Sequence, residues 1–206
     1  MKNLISRVLT GLAATALTIT TIVATATPAR AVVDTYTPHG GPAISFTGAD
    51  IDFTIIEAGQ TFTCAQVDMS GTIRDAGVSR PFGATATAWD QLVHDDCTNP
   101  IFGETTFDPI GVWGFAITGP EVGSVSPATL TDVRLFLQAA DCSFNIAGDV
   151  SGNFDDVTGV FTPTGSTLTI ADDPAGFVCS LLGFAQGQSI SVSGSWLISG
   201  LTITNP

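Results

Sequence analysis

The sequence predicts an all-β domain, a sandwich or flattened barrel of about ten short antiparallel strands, on three observations. From Val32 onward, short runs alternate apolar with polar residues. Gly, Pro, Asn and Asp break those runs at close intervals. No long stretch carries the 3.6-residue period of a helix. In chain order the runs are Ala43 to Thr47, Ile51 to Ile56, Phe62 to Thr72, Thr85 to Trp89, Val112 to Thr118, Thr129 to Gln138, Ser143 to Val150, Ser166 to Ala171, Ser189 to Ser193 and Ser195 to Thr204. Each is rich in the β-branched and aromatic residues that suit a pleated, half-buried surface. The one helical signal is Pro174 to Leu182. There Asp172 or Asp173 is placed to cap the start, proline suits the first turn and Gly183 suits the end.

Ahead of the strands, Met1 to Ala31 reads as a secretory signal peptide. Lys2 and Arg7 precede an apolar stretch from Val8 to Ala26, and Pro28-Ala29-Arg30-Ala31 offers a small-x-small cleavage site after Ala31. The stretch could reach across a bilayer as an anchor, but its threonines and the Ala-x-Ala that ends it favour cleavage. The expected mature domain is therefore 32–206, secreted or held at the cell envelope, with no membrane span. Export turns the four cysteines into two expected disulfides. No Asn-x-Ser/Thr acceptor and no C-terminal sorting signal is evident.

Charge excludes one class of partner. The chain has 206 residues, 44% hydrophobic and 12% charged, with a formal net charge of −13. Three of its six cations, Lys2, Arg7 and Arg30, precede Val32, which leaves Arg74, Arg80 and Arg134 against 19 acidic residues. Nucleic acid, whose affinity comes from neutralising phosphates with Lys and Arg, is not an expected partner.

Cysteines and tryptophans repeat in order. Cys64, Cys97 and Trp113 are followed by Cys142, Cys179 and Trp196; the cysteine separations are 33 and 37, and each tryptophan trails its second cysteine by a nearly equal interval. Ser70-Gly71 follows Cys64 as Ser151-Gly152 follows Cys142. The order suggests two related halves, 43–118 and 129–204, and makes Cys64 with Cys97 and Cys142 with Cys179 the economical pairing among the three that four cysteines permit.

On these residues the chain resembles a group of small secreted actinobacterial proteins of uncharacterised function. The motifs are Cys64 with Ser70-Gly71, Cys97 ahead of Gly111-Val112-Trp113, Cys142-Ser143-Phe144-Asn145-Ile146-Ala147-Gly148, and Cys179-Ser180-Leu181-Leu182 with Gly187. More distantly it is similar to the secreted activator-of-alkane-oxidation proteins of pseudomonads. The acidic segment Asp149 to Asp156 departs from the neutral hairpin expected there. The resemblance implies the all-β fold and two disulfides, and no catalytic residues.

Candidates for chemistry are few. Nucleophilic catalysis needs a base beside the nucleophile, and the chain has two histidines, no Gly-x-Ser-x-Gly elbow and hence no expected catalytic residue. His39 reads as a solvated histidine in a flexible lead-in. His94, with Asp90, Asp95 and Asp96 nearby, is the densest polar cluster; imidazole and carboxylate could hold zinc or manganese, but no second His cluster completes such a site and a polar loop before a bridge is the favoured reading. Asp149, Asp155 and Asp156 are weak calcium candidates, because the sixth position of that loop is Phe154 where the calcium pattern needs glycine. No metal or other cofactor is expected. Glu57, Glu104 and Glu121 stand within two residues of Gly or Pro rather than among the alternating aromatics of a glycosidase groove. Thirteen Phe against one Tyr favour burial over a contact surface.

The reading is a non-catalytic exported protein with a structural or interaction role, its partner an unidentified cell-envelope component. The alternative is a carrier for an apolar small molecule, with Phe102, Phe107, Phe115, Phe136, Phe144 and Phe184 around an internal cavity of about 300 Å3 or more. A secreted hydrolase ranks third.

Overall fold

A computed structural model of the chain describes residues 34–205, apart from the side chains of Asp90 and Asp95. The expected signal peptide lies outside the described residues. Eleven strands and one short helix follow in order: β1 Thr35–Ile55, β2 Gln60–Ile73, β3 Arg80–Pro81, β4 Thr87–Asn99, β5 Gly103–Pro109, β6 Gly114–Ile117, β7 Val125–Ala139, β8 Cys142–Asp155, β9 Val160–Ser166, β10 Thr169–Ile170, α1 Phe177–Leu181 and β11 Ile190–Thr204. All pairings between named strands are antiparallel. The all-β expectation holds.

The sheet closes on itself. Its order runs β8-β9-β11-β1-β2-β4-β5-β7, and β7 pairs back to β8, so these eight strands are met in chain order around an up-and-down barrel, with the short β3, β6 and β10 beside them. The barrel is flattened because two seams are thin. Strand β4 meets β5 only at Thr98↔Glu104 and Asn99↔Gly103, and β9 meets β11 only at Phe161↔Trp196 and Val160↔Leu197, with single bridges at Trp89↔Trp113 and Thr169↔Ser189. Between the seams lie two four-stranded faces, β11-β1-β2-β4 and β5/β6-β7-β8-β9/β10.

Alternation places the core inside. Along β2, Phe62, Cys64, Val67 and Met69 are buried; along β7, Leu130, Val133, Leu135 and Leu137 are. Each long strand that opens a half carries a β-bulge with an aspartate in the left-handed region: Asp50 (φ 52°) in β1 and Asp132 (φ 57°) in β7, with register shifts between Ala49 and Asp52 and between Leu130 and Val133. Aspartate tolerates that conformation better than most residues, and a bulge bends a long strand so that one chain can curve around a barrel. Two aromatic clusters fill the interior. Phe46 packs edge-on to Trp89 and Phe115, with Phe154, Phe161 and Trp196 beyond. Phe62, Phe102, Phe144 and Phe184 pack together nearer α1.

Several expected boundaries change. The two runs Ala43 to Thr47 and Ile51 to Ile56 are one strand, β1, and Ser189 to Ser193 with Ser195 to Thr204 are one strand, β11, because bulges and glycine bends interrupt the pattern without ending the pairing. The lead-in around His39 is paired strand, opposite Thr202. The segment from Asp149 to Asp155 is the end of β8, and the turn falls one step later, where the Asp155 carboxylate accepts the amides of Val157 and Thr158. Helix α1 is shorter than Pro174 to Leu182, and neither Asp172 nor Asp173 caps it. Gly176 stands at the N-cap without a side-chain bond, and Asp141, from the β7–β8 turn, accepts the amides of Phe177 and Val178. Asp172 instead accepts the amide and the Nδ2 of Asn145.

Candidate functional site

The first cysteine pair, Cys64–Cys97, joins residues directly opposite on β2 and β4, and both are buried. The second, Cys142–Cys179, ties the start of β8 to α1. Both pairings match the economical connectivity, and no free cysteine remains among the described residues. Two disulfides are compatible with an extracellular protein. Cys64 and Cys142 sit on the second strand of each face-forming half. The second cysteines differ in what they anchor, one a strand and one a helix.

Just before Cys97 in the chain the β4–β5 seam splays, and the densest polar cluster of the sequence lies there. His94 is in strand β4, not in a loop, opposite Val67 of β2. Its Nε2 accepts the amide of Phe107 across the seam at 3.2 Å, so the neutral ring carries its proton on Nδ1. This side chain supplies the rung that the missing β4–β5 main-chain pairs do not. Around it is an open cleft of about 320 Å3, lined also by Asp96, Thr98, Glu104, Thr105 and Thr106. Asp90 and Asp95 lie outside the described side chains. Among the described residues no group of three or more His, Cys, Asp and Glu converges as a metal site.

The other candidates are engaged in holding loops. Asp149 accepts the amide of Asp132, Asp155 caps its own turn, and Asp156 accepts the amide of Ile203, each at 2.9 Å. Bonds of this kind are how an exposed carboxylate secures a bulge, a turn or a strand end. For Asp155, desolvation raises the pKa, but the amides of Thr158 and Val157 and the hydroxyls of Ser124 and Thr158 outweigh it, leaving the group below its ordinary value. Glu57 is likewise lowered, by its own amide first and then by the amide and hydroxyl of Ser189. That pair fastens the β1–β2 turn to the segment entering β11. The His39 ring hydrogen-bonds the Thr204 hydroxyl, at 3.0 Å.

The interior is filled. The apolar space at its centre, bordered by Phe53, Leu92, Trp113, Val192 and Trp196, has a volume of about 20 Å3, which is room for roughly one water. None of the six phenylalanines expected around a cavity borders it. Phe107, Phe115, Phe144 and Phe184 are buried against other aromatics, because closing the barrel brings the two inner faces into direct contact. Trp113 and Trp196, one from each half, both border it. Their indole N–H groups donate to the carbonyls of Arg134 and Val67 at 3.2 and 2.9 Å.

Two features escaped sequence reasoning. One is the end of the barrel that carries α1, where Phe177 and Leu181, one turn apart, are 72% and 69% exposed. The other is a trough on the outer wall beside Arg134, where two open hollows share Arg134 and Ile110. Arg134 being one of three cations after Val32 was the available signal.

Comparison with protein families, curated proteins and solved structures found no match to this chain. Among the described residues, no helix is long and apolar enough to cross a membrane.

Proposed function

We propose that this is an exported, non-catalytic protein with a structural or interaction role outside the cell or at its envelope, released by cleavage after Ala31. The observation that carries the reading is the filled barrel. With about 20 Å3 at its centre, the interior favours a rigid stapled body over a carrier, since ligand pockets run to roughly 300 Å3 and more. The polar groups nearest to chemistry, His94, Glu57, Asp149, Asp155 and Asp156, each take a hydrogen bond from the fold itself. A strongly anionic surface keeps such a molecule soluble and self-repelling.

The test is a set of melting curves on secreted protein. Reductant should lower Tm sharply, while EDTA and long-chain alkanes leave it unchanged. A rise in Tm with alkane would revive the carrier, and a fall with EDTA would overturn the cofactor-free reading. Mass spectrometry of the same material should find Val32 at the N-terminus; retention of residues before it would overturn the cleavage.

A further inference from the structure

We propose that the trough beside Arg134, on the outer wall of the barrel, binds a small organic monocarboxylate with an aliphatic or aromatic body. The larger hollow, about 360 Å3, is lined by Ile110, Arg134, Asn145, Ile146, Ala147 and Ala171, and all but Arg134 and Asn145 are apolar. A second hollow of about 230 Å3 lies on the other side of Ile110 and Arg134 and includes Asp132.

The bulge at Asp132 sets this arrangement. After the register shift Val133 turns inward and is buried, and Arg134 stands exposed opposite Ala147 of β8. The small Ala147 leaves the floor open beside the long arginine. The walls are held in place. The Arg134 carbonyl accepts both the Ile110 amide, at 2.9 Å, and the Trp113 indole N–H, while Asn145 is fixed by two bonds to Asp172.

Charge selects the ligand. Arg80 spends its guanidinium on the carbonyls of Thr85, Arg74 and Asp75. Among the described residues, the Arg134 guanidinium has neither a hydrogen bond nor an ion pair with the protein. A planar guanidinium forks onto a carboxylate through two parallel N–H bonds. One cation on a surface with 19 acidic residues, with Asp132 near at hand, balances a single negative charge and disfavours a dianion. The apolar hollow then takes the body of the ligand. This groove lies outside the barrel, so its occupancy is independent of whether the interior carries anything.

The experiment is an amide NMR titration of the disulfide-intact protein with hexanoate and, separately, hexanol. Hexanoate should shift the amides of Arg134, Ala147 and Ala171 in a saturable way, and hexanol should bind more weakly by up to roughly fivefold, the upper range of an exposed ion pair. Arg134→Gln should weaken hexanoate by a similar factor with the rest of the spectrum and Tm unchanged. Ile110→Ser should weaken hexanoate and hexanol alike. Arg74→Gln, which removes an exposed cation elsewhere, should change nothing. Equal response to acid and alcohol, an Arg74→Gln effect matching that of Arg134→Gln, or no saturable shift at these amides would overturn the proposal.

Discussion

At the scale of single residues, the clearest consequences follow from burial. Tyr36 is the only tyrosine and is fully buried, its hydroxyl donating to the Ala84 carbonyl. Burial pushes its pKa up to about 12, with the Arg80 charge and a backbone contact from Ile117 opposing. A raised folded pKa means the phenol is held neutral. Its contribution is complete below about 10 and is lost as pH rises through 12. Phenolate absorbance of native protein should therefore appear about two units later than in denaturant, and a coincident titration would show Tyr36 to be exposed. Gly48 is a second case. A Cβ there would lie 2.5 Å from the Trp196 indole nitrogen, which donates to Val67. Gly48→Ala should displace that ring and cost about 1–3 kcal/mol, read as a lower Tm with a shifted tryptophan emission.

At the scale of elements, α1 depends on what holds it more than on its own sequence. Five residues are too few to be stable alone. The helix persists because Asp141 satisfies two of its free amides and Cys179 is bonded to Cys142. Gly176 is also required, since its φ of 108° and its approach to the Asp141 carbonyl leave no room for a side chain. Asp141→Ala should cost on the order of 1 kcal/mol, the usual loss for a cap, and raise amide exchange at Phe177 and Val178 first. Removing Cys142 and Cys179 together should cost up to about 4 kcal/mol on the loop-entropy account. The sequence foretold a helix here from proline and aspartate, but assigned the cap to the wrong aspartate. Asp141 is some thirty-five residues upstream, and only the closing of the β7–β8 turn brings it near. His94 has the same history: its partner, the Phe107 amide, belongs to a strand that alternation did not reveal, since Gly103 to Pro109 carries only two buried residues.

For the whole molecule, the pH dependence has a definite sign. Glu57 and Asp155 both sit below their ordinary values in the folded chain, so their stabilisation is present above those values and is lost as pH falls through the lowered ones. Tm should hold near neutrality and fall below about pH 4. Glu57→Gln should reduce the size of that fall; an acid profile identical to the parent's would show that the Glu57–Ser189 fastening carries no pH dependence. Because acidic residues far outnumber cations, added salt at neutral pH should raise Tm by screening self-repulsion.

The fold class is legible in the amino-acid sequence, which also favours one disulfide pairing of the three that four cysteines permit. Both are local or near-periodic properties: period-two alternation compels strands wherever one face is buried, and the repeated spacing of Cys64, Cys97, Cys142 and Cys179 made one pairing economical. Tertiary structure alone decided that the sheet closes, that closure fills the interior down to about 20 Å3, and that Ile110 and Ala171 flank Arg134. Those outcomes depend on which strands pair and where bulges such as those at Asp50 and Asp132 bend them. Pairing between distant strands leaves no periodic trace in a chain, so the packed core and the outer trough emerge only when β7 meets β8 and β11 meets β1.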